Sequence, residues 1–305
     1  MLLRTERLTK DYGHIRALDD HNLEVAAGEV VGLLGPNGSG KTTALRLLLG
    51  FLRPTAGRAS VAGHECWADS VAVRRLVADL PGELRLYENL SGRQLVHFLA
   101  RLRKARSDGG LDDLARRFDI DLDRPLASLS SGMKRKVALL SVLVPDAPLL
   151  IMDEPTNALD PTMRDLLLDQ VRLCRERGQA VLFSSHVLSE VERVCDRIAI
   201  LRRGKLVHLQ ATAEMKQGRL IEARMHGAGA GSGDHAPALA LTLPGLSQRA
   251  RYGDRLVLEY AGPLPTLLEW LARQPLADLR LEPLGLAAVY HRFHGPDAGN
   301  SDNLV

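Results

Sequence analysis

An α/β fold built on a parallel sheet is predicted by two features of this 305-residue chain. The first is the stretch Gly35-Pro36-Asn37-Gly38-Ser39-Gly40-Lys41-Thr42. The apolar run Val30–Leu34 precedes it, and the Leu-rich run Ala44–Leu49, which stops at Gly50, follows it. A buried strand, a glycine loop and a helix with a glycine C-cap account for that order. The second is the run Pro148–Met152, which ends in Asp153-Glu154. Acids directly after an apolar strand stand at the carboxyl edge of the sheet, where open α/β folds bind their ligands.

Each feature has a chemistry suited to phosphate. Glycines let successive backbone N–H groups turn inward, and the positive end of the following helix reinforces them. Lys41 is placed to reach the β- and γ-phosphates of a nucleotide, and the Thr42 hydroxyl to hold Mg²⁺. Asp153 can hold Mg²⁺ through water, and Glu154 can orient and deprotonate an attacking water. A glycine turn with a chance lysine, or a solvated strand end, explains either stretch in isolation. Neither explains the strand–loop–helix context together with acids that precede a proline downstream.

Composition sets the remaining bounds. With 45% hydrophobic and 25% charged residues, the chain can bury one large core and a smaller one. A net charge of +3 does not demand a nucleic-acid partner. The basic clusters Arg101–Arg106 and Lys134–Lys136 read as solvated helix faces. Cys66, Cys174 and Cys195 lack metal-ligand spacing and read as small thiols in a reducing compartment. The N-terminus meets charge at Arg4, too early for a secretory signal, and no apolar run approaches the roughly 20 residues that span a bilayer. A soluble, cytoplasmic chain is expected, free to dock on a membrane protein.

Taken in order, Leu2 to Val25 reads as short strands turning at Asp11–His14. Tyr12, just before the turn, is either a strand-edge aromatic or a platform for an adenine ring. Pro54–Gly57 turns into a strand at Ser60–Ala62, and a buried strand near Leu76–Leu80 is ended by Pro81-Gly82. Ser91 and Gln94 form a capping box for a helix over Gly92–Lys104. A helix over Leu111–Phe118 follows, and Leu129–Met133 opens another that runs to about Val144. These helices form an insert at about 83–147. Asp160 caps a long helix that starts at Pro161 and ends at Arg177. Ala180–Ser184 is a strand delivering Ser185-His186, and 197–201 with 205–209 make a hairpin at Gly204. From 223 to 238, a Gly/Ala-rich stretch reads as a linker. Residues 239–295 read as a small α+β accessory domain, and 296–305 as a disordered tail.

The chain resembles the nucleotide-binding subunit of an ABC transporter over residues 1 to about 222. The motifs come in the family's order: the loop Gly35–Thr42, the signature-like Leu129-Ser130-Ser131-Gly132-Met133, the acidic strand Leu149–Glu154, the loop Ala158-Leu159-Asp160, and His186. The resemblance implies a P-loop ATPase fold, the ABC cassette, with a helical subdomain and the small C-terminal domain. It implies ATP and Mg²⁺ as ligands, with Glu154, His186 and Lys41 acting in catalysis and Thr42 and Asp153 at the metal. Nucleotide contacts carry over to Tyr12, Gly35, Asn37, Gly38, Ser39, Gly40, Lys41, Thr42, Thr43, Ser130, Gly132 and Asp160. Two subunits of this family sandwich two ATP molecules, so Ser130 and Gly132 are expected to face the partner's nucleotide. A homodimer on a separately encoded, multi-span permease at the inner face of the membrane follows. The short insert and the echo of Pro283–Tyr290 resemble drug-resistance exporters.

Two positions depart from the family. The signature has Ser131 where a glycine is usual, and Gly82 stands where a glutamine follows the second buried strand. Either a water or Glu83 fills that glutamine's place. A soluble ABC-type ATPase acting on nucleic acid or ribosomes is the alternative, but long coiled-coil insertions and a second cassette are absent. A P-loop kinase or GTPase would not explain Leu129–Met133 or His186.

Overall fold

Val30–Leu34, five consecutive buried residues, forms the middle of a six-stranded sheet in the computed structural model. The model describes residues 1–105, 110–225 and 242–294. The strand order is Lys205–Ala211, Arg197–Arg202, Val30–Leu34, Ala180–Ser185, Leu149–Asp153, Val77–Leu80. The last five of these pair in parallel. Parallel strands are covered on both faces, which is why these segments read as continuous apolar runs rather than alternating ones. Register opposes Leu34 to Ser185 and Asp153 to Ser184. The residues that leave these three strands, Gly35, Glu154 and His186, therefore emerge side by side at one edge.

A second, antiparallel sheet orders Ile15–His21, Leu3–Tyr12, Ala56–Val61 and His64–Glu65. One core joins Leu3, Leu8 and Leu18 of this sheet to Leu45 and Leu48 of helix Lys41–Leu48 and to Val31 and Ile151 of the parallel sheet. The helix behind the glycine loop is thereby fixed on two sides. Between Val77–Leu80 and Leu149–Asp153 lie helices Gly92–Arg103, Leu111–Arg117 and Ser131–Leu143. The Ser91 cap is reciprocal: its N–H donates to Gln94 Oε1 at 2.9 Å, and its Oγ accepts from the Gln94 N–H at 3.3 Å. Helix Pro161–Glu176 starts at Asp160, whose Oδ1 accepts the Met163 N–H at 3.0 Å.

Helices Ser70–Leu76 and Leu188–Val194 escape the sequence reading. Each is two turns long with only one or two buried apolar positions, too few for the 3.6-residue period to show. Both are fixed by tertiary contact, through buried Val73 in one and Val191 and Val194 in the other. All three cysteines are free and buried. Burial pushes the Cys66 thiol up to about 12 and also raises Cys174 and Cys195.

The chain divides after Leu209 rather than near 222. In the second unit, Gly218–Met225 is an inner strand of an antiparallel sheet ordered Leu246–Tyr252, Arg255–Ala261, Gly218–Met225, Leu276–Pro283. Residues 218–222, assigned to the cassette, and 223–225, assigned to the linker, are thus central to the smaller unit. Ile221, Ala223 and Met225 alternate inward against Leu258, Tyr260, Leu267 and Trp270. The small Ala223 and the outward Leu220 blur that alternation in the sequence. The rest of the expected linker, apart from 223–225, and the expected tail at 296–305 lie outside the described residues.

Helix Leu188–Val194 packs on the central strand where that strand has no side chain. A Cβ on Gly32 would lie 2.4 Å from Val191 Cγ1 and 2.8 Å from Cys195 Sγ. Overpacking of this kind typically costs about 1–3 kcal/mol. Gly32→Ala is expected to lower the unfolding free energy by that amount, seen as a lower urea midpoint at unchanged slope. An unaltered midpoint would show that the helix does not seat on this strand.

Candidate functional site

The glycine loop owes its shape to backbone that other residues enter at a cost. Gly38 has φ +80° and Gly40 φ +107°, the left-handed region open mainly to glycine. Gly40 also lies against strand Ile15–His21, where a Cβ would meet the Ala17 carbonyl oxygen at 2.6 Å. The turn at Gly204 braces the loop as well. Its N–H donates to the Ser39 carbonyl at 2.9 Å, and its carbonyl accepts the Asp19 N–H at 2.9 Å.

Lys41 is buried, and its Nζ donates to the carbonyls of Gly35 at 2.6 Å and Pro36 at 3.3 Å. It also stands 3.6 Å from Glu154 Oε1. The Thr42 hydroxyl donates to Asp153 Oδ2 at 2.8 Å, and the Ser184 hydroxyl donates to Oδ1 at 2.5 Å. The same Ser184 oxygen accepts the Glu154 N–H at 2.9 Å. Glu154 has φ +49°, a strained value for a non-glycine residue of a kind that clusters at functional sites. His186 Nδ1 lies 2.7 Å from Glu154 Oε2. Lys41, Thr42, Asp153, Glu154 and His186 are therefore one connected group, assembled from residues up to 145 positions apart (186 − 41).

A cavity of about 490 Å³ opens over this group, lined by residues 36–43, Asp153 and Glu154. Ile15, Arg16, Ala17 and Arg203 complete the lining and were missed in the sequence. No local spacing marks them, because the hairpin and the Gly204 turn bring them in through tertiary packing. Donors here are hard oxygens from Thr42 and Asp153, and the buried Ser39 Oγ has no partner. That set suits Mg²⁺, which takes one or two protein oxygens and completes its shell with phosphate and water.

Other expected residues stand outside the cavity. Tyr12 is exposed at its strand end, with Lys10 Nζ 5.2 Å from the ring centroid. Ser130 caps helix Ser131–Leu143, its Oγ accepting the Met133 N–H at 3.3 Å. Gly132 neighbours the loop before Asp160, since a Cβ there would lie 3.8 Å from the Ala158 carbonyl oxygen. None of Ser130, Gly132 and Asp160 lines the cavity over the phosphate loop of their own chain. Glu190 also went unread. Its buried carboxylate accepts from Thr156 at 2.8 Å and Ser185 at 3.2 Å, tying the segment after Glu154 to the one before His186.

The ABC transporter family model matches residues 18–157. A daunorubicin resistance ATP-binding protein of Streptomyces coeruleorubidus is 39% identical over 214 residues, covering 68% of this chain and 67% of that protein. A Nod factor export ATP-binding protein I of Ralstonia nicotianae is 32% identical over 312 residues, 96% of this chain and 94% of its own length. The chain belongs to the ABC transporter ATP-binding proteins. A solved structure of the ATP-binding subunit of an ABC transporter superposes with a TM-score of 0.66 at 30% identity, covering 71% of this chain and 92% of the other. The P-loop ABC fold expected from the sequence is borne out, and the chain is an ATPase subunit of this family. Among the described residues no helix is long and apolar enough to cross a membrane.

Within this ABC cassette, the missing glutamine can be located. A Cβ on Gly82 would lie 3.2 Å from Asp153 Oδ2, so position 82 itself faces the Asp153 carboxylate. Gly82→Gln has to displace its neighbour by only a few tenths of an ångström. Magnesium tolerates water in place of a protein carbonyl. Basal ATP turnover of Gly82→Gln is therefore expected within about tenfold of wild type, or about 1.4 kcal/mol of barrier. A hundredfold gain would mean the natural site is crippled.

Proposed function

We propose that this chain is the ATP-hydrolysing subunit of an exporter and drives a separately encoded, multi-span membrane permease. The observation that carries the hydrolytic part is the Glu154 carboxylate, held by His186 on one oxygen and facing Lys41 with the other. Backbone N–H groups of the glycine loop and Lys41 bind the phosphates of ATP. Glu154 takes the proton of a water whose oxygen bonds to the γ-phosphorus, as the bond from that phosphorus to the bridging oxygen of ADP breaks. His186 fixes the direction of the carboxylate, and Lys41 balances charge on the phosphates. Magnesium, held by Thr42 and Asp153 when bound with the nucleotide, supplies neutralisation of the triphosphate.

Ser130, Gly132 and Asp160 complete the site of a second copy, so the working form is a homodimer closed around two ATP molecules. A serine N-cap at a helix start offers both a hydroxyl and the positive helix end to a γ-phosphate. Tyr12 stacks the adenine. The relatives named for drug resistance and for Nod factor export support the exporter class, with the chain peripheral at the inner face of the membrane. A modest net charge of +3 gives no support to nucleic acid as a partner. Co-purification with a multi-span membrane protein tests the transport role, and co-purification with ribosomes instead would overturn it.

Glu154→Gln is expected to keep ATP affinity, to lose nearly all hydrolysis, and to accumulate an ATP-bound dimer on size exclusion. Turnover near wild type would remove Glu154 as the base.

Trans completion has its own test. Ser130→Arg subunits mixed with Lys41→Ala subunits are expected to regain activity, because each heterodimer holds one intact composite site. No regain in a mixture that demonstrably contains heterodimers would count against the sandwich.

A further inference from the structure

We propose that Arg135 is a positioning residue that clamps the acidic strand end to the segment at Gly82 and links both to the helix that begins at Ser130. The inference rests on the assignment of Glu154 as the base. Arg135 is buried, and among the described residues its guanidinium bonds backbone carbonyls rather than a carboxylate. Its Nη1 donates to the carbonyls of Pro81 at 3.2 Å and Gly82 at 3.0 Å. Its Nη2 donates to the carbonyls of Asp153 at 3.1 Å and Glu154 at 2.5 Å. One guanidinium thus holds four backbone oxygens, two at the end of each of two adjacent parallel strands. Burial lowers its proton affinity, and the charges of Asp153 and Glu154 oppose that effect, so the group stays cationic as arginine does.

The geometry has a use that packing alone does not need. The peptides held through the Asp153 and Glu154 carbonyls flank the strained φ of Glu154. Releasing them frees the backbone that aims the carboxylate at His186 and Lys41. The other pair of bonds fixes the backbone at Pro81 and Gly82, which Gly82 has no side chain of its own to do. Arg135 also rides on helix Ser131–Leu143, five residues beyond Ser130 (135 − 130), or roughly 7 Å along the axis. A shift of that helix at its Ser130 end therefore moves both carbonyl pairs together. Only the planar fork of arginine serves both pairs, because an ammonium is a compact point charge whose three donors do not span four carbonyls at two strand ends.

The test uses the full-length chain, with ATP affinity, kcat and KM measured for Arg135→Ala, Arg135→Lys and Glu154→Gln. Arg135→Ala is expected to lose about 10–100-fold in kcat, the scale of second-layer support around a reacting site, with nearly unchanged ATP affinity. Millimolar guanidinium should restore part of that loss by entering the vacated space. Arg135→Lys should fall between, and guanidinium should not help it. Near-wild-type kcat in both variants, equal losses of kcat and affinity, or absence of rescue in a folded Arg135→Ala would overturn the proposal. If Arg135→Ala does not fold, Arg135→Lys decides: a selective loss of kcat supports the clamp, and full turnover overturns it. Hydrolysis by Glu154→Gln would instead defeat the underlying assignment. A silent Glu154→Gln beside fully active Arg135 variants defeats only this inference.

Discussion

Parallel register is the constraint on which the site depends. Leu34, Asp153 and Ser185 end neighbouring strands at nearly one level because the ladders pair Leu34 with Ser185 and Asp153 with Ser184. A slip of one residue in any ladder would turn every side chain to the other face. It would also move Glu154 away from His186 and Thr42 away from Asp153. The strands are buried on both faces, so a slip exchanges one apolar contact for another and is weakly opposed by burial. The polar bonds at the strand ends discriminate instead. Ser184 bonds both the Asp153 carboxylate and the Glu154 N–H, and Glu190 draws Thr156 towards Ser185. The functional edge thus helps to fix the register of the sheet that supports it.

Much of the cassette is legible in the chain because its signals are local. Glycines at φ +80° and +107° announce the loop, five-residue apolar runs announce buried strands, and Ser91, Ser130 and Asp160 announce helix starts. What is not legible is non-local. Arg16 and Arg203 reach the cavity only because the hairpin and the Gly204 turn fold against the glycine loop. Arg135 sits in a run of basic residues, Lys134-Arg135-Lys136, which reads as a solvated face. The helix turns one of the three inward and leaves Lys134 to pair with Glu88. Nothing in the spacing distinguishes a buried cation from its half-buried neighbours when each is one residue apart.

The boundary error has a different origin. Family resemblance fades gradually along a chain, whereas a sheet begins at its first strand. Gly218–Met225 precedes the Gly/Ala-rich stretch, yet it pairs with Arg255–Ala261 and Leu276–Pro283 on either side. The strand at Gly218–Met225 therefore belongs to the smaller unit, and a change of composition that begins at 223 does not mark the unit's border.

The burial of every cysteine has a consequence for the ATPase in a changing cell. Thiolate, not thiol, reacts with oxidants and disulfides. Cys66 ionises only at about 12, and Cys174 and Cys195 are raised as well. None of the three therefore offers a nucleophile at neutral pH. Burial thus opposes oxidation of these three thiols twice, by keeping reagents away and by holding each sulfur in its less reactive protonated form.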